Sequence, residues 1–116
     1  MIEFVLEWPD SALLPNARKR HWRDKQPFKE AAREMAFTNA FNSGLQIGQG
    51  KLSARLLFNS PDNIRRDLDN LLSSMKPSID GVCLALGIDD AKIVCYTVER
   101  GELHPGGRVI LQLTEL

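Results

Sequence analysis

Asn63-Ile64-Arg65-Arg66-Asp67-Leu68-Asp69-Asn70-Leu71 is the stretch where an extended chain turns into an amphipathic run. After it, Leu68, Leu71, Leu72, Met75, Ile79, Val82 and Leu86 recur at spacings of three and four. That pattern predicts a helix over roughly 69–86 with one buried stripe. Asp69, Ser73, Lys76 and Asp80 fall on its polar side. Asp67 would point the wrong way if helical, so it is placed just before the helix. In an extended segment Asp67 and Asp69, two residues apart, project to the same side. Two carboxylates so placed suit a hard cation such as Mg²⁺, which prefers oxygen ligands. Pro77 lacks an N–H and clashes one turn back, so a kink, or two short helices meeting near Lys76, is expected, the in-phase stripe favouring the kink.

Downstream, Gly87 ends this element, and Asp89-Asp90 opens a strand over about 92–98. Upstream, Leu52, Ala54, Leu56 and Phe58 alternate in a strand from Lys51 to Phe58, and Asn59-Ser60-Pro61-Asp62 turns the chain. Ile2 to Trp8 alternates apolar and acidic residues as a half-buried strand does, and Val109, Leu111 and Leu113 alternate in a closing strand. Pro27 to Asn42 is helical in spacing, with Phe28, Ala31, Ala32, Met35 and Ala36 in one stripe and Phe37, Ala40 and Phe41 widening it. Gly44 follows as a C-terminal cap would. Residues 101–107, with Pro105-Gly106-Gly107, read as a hairpin connection. The order is β-α-β-α-β-β: an α+β domain spanning 1–116, with a four-stranded mixed sheet and two helices packed on one face.

Of the 116 residues, 43% are apolar, which suits one globular domain and argues against disorder. Cys83 and Cys95 lack metal or redox spacing and read as small buried hydrophobes in a reducing cytosol. The chain has no apolar run of transmembrane length and no basic leader, so a cytoplasmic protein without a membrane partner is expected. Net charge is zero, but residues 18–33 carry seven basic against two acidic side chains, a net of +5 that leaves −5 elsewhere. Asn16, Arg18, Lys19, Arg20, Arg23 and Lys29 are therefore candidate contacts to a phosphate backbone, as are Arg65 and Arg66. His21 reads as a base or a simple contact, and Trp22 as a stacking surface or packing over a sheet edge.

Arg65-Arg66-Asp67-x-Asp69-Asn70-Leu71, then Lys76 and Asp80, then Asp89-Asp90 before an apolar strand, resembles the RusA family of Holliday-junction resolvases. The ordered match covers roughly 59–98, and a weaker one through Pro15-Asn16-Ala17-Arg18 and His21-Trp22 extends it upstream. The resemblance implies Mg²⁺-dependent cleavage of four-way DNA junctions in recombination and repair, with Mn²⁺ as a substitute and no small-molecule cofactor. It makes Asp67, Asp69 and Asp90 the metal ligands and catalytic acids, with Asp89 and Asp80 completing or orienting the shell. Many relatives place a lysine where this chain has Ser73; here Lys76 is the nearest candidate for that catalytic charge. Paired cuts in opposed strands further imply a homodimer. Two other readings compete: a non-catalytic module that binds branched DNA, its acids capping helices, and a Mg²⁺-dependent nuclease acting on another DNA substrate.

Overall fold

A computed structural model describes residues 1–15 and 22–116, with Trp22 and Arg23 described by their backbone. The candidate contacts Asn16, Arg18, Lys19 and Arg20, together with His21 and the side chains of Trp22 and Arg23, lie outside the described residues. The strands are β1 (Ile2–Glu7), β2 (Leu52–Asn59), β3 (Ile93–Arg100) and β4 (Arg108–Glu115). The helices are α1 (Trp22–Ser43), α2 (Leu68–Ser74) and α3 (Lys76–Leu86), with short 3₁₀ turns at Ser11–Leu13 and Asp90–Lys92. This is the expected α+β arrangement with a mixed sheet. Among the described residues no helix is long and apolar enough to cross a membrane.

The sheet order is β1-β4-β2-β3. β4 pairs antiparallel with β1 and β2, while β2 and β3 run parallel from Leu52↔Ile93 to Phe58↔Arg100. Alternation decides which face is covered. Phe4, Leu6, Leu52, Ala54, Leu56, Phe58, Val109, Leu111 and Leu113 are buried on the helix side. Glu3, Val5 and Glu7 of β1 are exposed on the other. Beneath the helices, Leu71, Met75, Ile79 and Val82 join this core, as their spacing predicts, with Leu68, Leu72 and Leu86 partly buried around it.

Four local expectations are corrected. The run expected from 69 to 86 is two helices: Met75, at φ −90° and ψ −4°, ends α2 and caps α3. Pro77 then occupies the first turn of α3, where its missing N–H has no intrahelical acceptor to lose. The segment 101–107 is not a hairpin, because β3 and β4 are separated by β2. It crosses the end of β2, held by the buried Asn59, whose Nδ2 donates to Glu102 O (2.8 Å) and whose Oδ1 accepts from Arg108 Nε (3.2 Å). Helix α1 begins at Trp22, ahead of Pro27, and its buried stripe is narrower than the sequence suggests. Ala36 and Ala40 are buried, but Met35 and Phe41 are exposed, because α1 meets its neighbours along one narrow line. Cys95 is exposed on the edge strand β3, while Cys83 is buried; neither forms a disulfide.

The closest helix contact is at Gly81. A Cβ there would stand 2.3 Å from Arg33 O and 3.1 Å from Phe37 N, so only glycine lets α3 lie against the backbone of α1. Helix propensity alone favours Gly81→Ala by about 1 kcal/mol. The contact reverses the sign: Gly81→Ala is expected to lower stability by about 1–3 kcal/mol through overpacking. Denaturant unfolding reads this as a lower midpoint, and a midpoint at or above wild type would show that the two helices separate without cost.

Candidate functional site

The acidic residues fall into two groups set by the β2-α2-α3-β3 crossover. The first follows the end of β2. Asp67 is the N-cap of α2 in an extended conformation (φ −74°, ψ 137°), and Asp69 sits in the first helical turn. Helix α2 begins at Leu68, so the two carboxylates are not the extended pair that their spacing suggests. An N-cap aspartate ordinarily accepts a hydrogen bond from the first turn. Asp67 makes no such bond, and its carboxylate is 59% exposed, with Arg65 Nε 3.9 Å away. By contrast Asp10 and Asp89 both cap their short helices, accepting from Ala12 N and Ala91 N at 2.9 Å. The Asp67 carboxylate is left available.

The second group lies where α3 returns to the start of β3. There Asp80 and Asp90 stand within hydrogen-bonding reach of each other. Burial raises the Asp80 carboxyl above its ordinary value, and the charge and hydrogen bond of Asp90 raise it further, against the pull of Lys76 and then Arg33. Burial first, then Asp90, Asp80 and Asp89, pushes the Cys83 thiol up to about 11, so it stays protonated and inert. Burial, then Cys83, Asp90 and Asp80, also raises the Tyr96 hydroxyl. Tyr96 is 40% exposed and shares the helix-side face of β3 through its register with Ala54. Neither Tyr96 nor Arg33 was singled out for this cluster from sequence. Only the β2–β3 register and the α1–α3 contact bring them to it.

Lys76 is exposed as the first residue of α3. A cation at a helix N-terminus opposes the helix dipole, at about 0.3–1 kcal/mol. Its position is therefore not explained by helix stability, whereas Asp80 one turn on gives it an electrostatic reason. Ser73 lies across the Met75 break on α2, so positions 73 and 76 do not share one continuous helical face.

The two candidate arginines differ. Arg65 projects outward at 91% exposure. Arg66 is occupied: Nη1 bonds Asp62 Oδ1 at 2.8 Å, and its guanidinium lies 5.4 Å from the Trp8 ring centroid. Its carbonyl accepts from Arg100 Nη2 at 2.8 Å, which fixes the Asp67 segment beside the C-terminal end of β3. Asp90 is at the opposite end of that strand. Eight residues of strand span about 23 Å between first and last Cα. Within one chain Asp67 and Asp69 thus stand far from Asp90, and among the described residues no three His, Cys, Asp or Glu side chains converge to hold a metal ion. A cavity of about 830 Å³ lies elsewhere, between Trp8, Leu13 and the Phe28–Met35 side of α1, and none of these acids lines it.

No family model matches the chain. It is 34% identical over 117 residues to the crossover junction endodeoxyribonuclease RusA of Escherichia coli (strain K12), spanning 97% of this chain and 92% of that protein. Identity and coverage are the same for the crossover junction endodeoxyribonuclease rusA of Enterobacteria phage 82. An uncharacterized protein of Xylella fastidiosa (strain Temecula1 / ATCC 700964) is 35% identical over 118 residues, 98% of this chain and 76% of that protein.

Burial of Asp80, reinforced by Asp90 beside it, sets a pH dependence. A carboxyl whose value is raised by folding binds its proton more tightly when folded, so this environment favours the folded state in acid. The penalty is absent below the ordinary value of 3.8, grows as pH rises through the interval up to the raised folded value, and is constant above it. In metal-free buffer Asp80→Asn should therefore melt above wild type at neutral pH, with the gap shrinking as pH falls through the raised folded value towards 3.8. A gap that stays the same across that range, or a lower melting temperature at neutral pH, would show that folding does not raise the Asp80 carboxyl.

Proposed function

The chain belongs to the RusA family of crossover junction endodeoxyribonucleases, and on that premise we propose that it is an endodeoxyribonuclease that cuts four-way DNA junctions. The observation that carries this reading is the pair of acidic half-sites. One aspartate is withheld from its helix cap and two carboxyls are held together against their own repulsion. Neither arrangement stabilises the fold, and both suit a hard cation and a phosphate. A purely DNA-binding module with capping acids fits less well, because Asp67, at the cap position of α2, does not cap it.

The expected ion is Mg²⁺, with Mn²⁺ as a substitute, and when bound it supplies Lewis-acid charge and a water of lowered pKa. Asp67, Asp69 and Asp90 offer the hard oxygen donors for it. Asp89 contributes mainly by holding the turn that carries Asp90. Lys76 supplies positive charge beside the second half-site, where charge developing on a phosphoryl oxygen needs neutralising.

One chain does not bring the half-sites together, and a homodimer does. β3 is an edge strand, with Val94 and Tyr96 exposed at 55% and 40%. An exposed edge of this kind is a template for pairing with another chain. Antiparallel pairing of two β3 edges about a two-fold axis reverses one strand. The Asp67–Asp69 end of each copy then faces the Asp80–Asp90 end of the other, twice over. Two sites related by a two-fold axis match the paired cuts that junction resolution requires.

Two mutants test the reading. Asp67→Asn and Asp90→Asn should each abolish Mg²⁺-dependent cleavage of a synthetic four-way junction, while duplex and single strands stay uncut by the wild type. Unfolding and refolding the two inactive chains together should restore nicking, because the mixed dimer holds one site with both aspartates intact. Absence of restoration, with mixed dimers shown to form, would place each site within a single chain. Wild-type protein that binds the junction without cutting it would return the chain to the binding-module reading.

A further inference from the structure

The close approach at Gly81 places Arg33 opposite the Asp80–Gly81 segment of α3, since the Arg33 carbonyl is the atom an added Cβ would strike. The backbone at position 33 is therefore fixed beside the second acidic half-site. The Arg33 side chain is half-buried. Among the described residues it makes no hydrogen bond and no ion pair within 4.0 Å. The other arginines with described side chains have partners. Arg55 binds Glu99, Arg66 binds Asp62, Arg100 binds the Arg66 carbonyl, Arg108 binds Asn59, and Arg65 stands near Asp67. A half-buried guanidinium gives up hydration and side-chain freedom. For Arg33 no protein hydrogen bond offsets that loss.

We propose that Arg33 of α1 and Lys76 of α3 form a two-cation seat for the phosphate backbone of the bound DNA, each cation neutralising one phosphate, beside the Asp80–Asp90 pair. This rests on the nuclease reading and adds a contact to it. The acids by themselves repel a phosphodiester. Cations brought from two different helices flank the pair and make its approach favourable. A guanidinium matches two phosphate oxygens with its planar fork, while an ammonium acts as a point charge, so the two residues have distinct tasks. By sequence Arg33 is the last residue of the basic run 18–33. The Gly81 contact fixes its backbone beside the acids.

The test measures binding, so it does not depend on turnover. A labelled four-way junction is titrated by fluorescence anisotropy over a salt series without divalent cation, using wild type, Arg33→Gln and Arg33→Lys. Each phosphate contact contributes about 0.9 to the log–log salt slope. Arg33→Gln should flatten the slope by about that amount. Arg33→Lys should keep the slope and bind more weakly, because the charge stays and the fork is lost. Melting temperatures of both variants should stay at the wild-type value, since the contact with Gly81 is made by backbone. An unchanged slope in Arg33→Gln overturns the seat. If that variant does not fold, wild-type affinity in Arg33→Lys overturns it instead. A wild-type protein that binds the junction and fails to cut it sinks the nuclease reading, while the salt slopes still decide the seat. A wild-type protein that does not bind the junction sinks both.

Discussion

β2 and β3 pair in parallel, from Leu52 beside Ile93 to Phe58 beside Arg100. Two parallel neighbours cannot be joined by a tight turn, so the chain must leave the end of β2, cross the sheet and return to the start of β3. Helices α2 and α3 make that return and cover the apolar face. The acids flank the crossover: Asp67 and Asp69 where it begins, Asp90 where it ends. Their separation by the length of a strand follows from topology, not from any property of the carboxylates.

The crossover is shaped by two backbone devices. Pro77 forbids one continuous helix, and the chain responds by closing α2 at Met75 and starting α3 afresh. Ser74 is buried at that junction, and its hydroxyl donates to Leu71 O at 2.6 Å, satisfying a carbonyl near the end of α2. Gly81 then lets α3 approach α1 with no side chain between them. Together these bring Lys76, Asp80 and Arg33 into one electrostatic neighbourhood from two helices.

Elements with a period of two or a three–four spacing were legible from sequence to within a few residues, apart from the early start of α1 and the α2–α3 break. The buried stripe Leu71, Met75, Ile79 and Val82, the alternation of β2 and β4, and the placement of Asp67 ahead of its helix all follow from local sterics and apolar spacing. Strand order did not. Gly101 to Gly107 carries hairpin residues, yet it crosses the end of β2, because glycine and proline specify a turn without specifying which strand lies beyond it. Arg66 looked equivalent to Arg65, and only the three-dimensional position of Trp8 and Asp62 separates them.

Two acidic motifs, a lysine and arginines, residue types that suit a hard cation and a phosphate, are visible in the linear chain. These depend on side-chain identity and near-neighbour spacing, which a one-dimensional string carries. Folding brings some of those groups together and parts others. Asp80 meets Asp90 and Arg33 joins them, while Asp67 and Asp69 stand at the other end of β3. Strand pairing and helix packing are long-range choices. They are set by how the whole apolar surface is buried, and no local spacing encodes them.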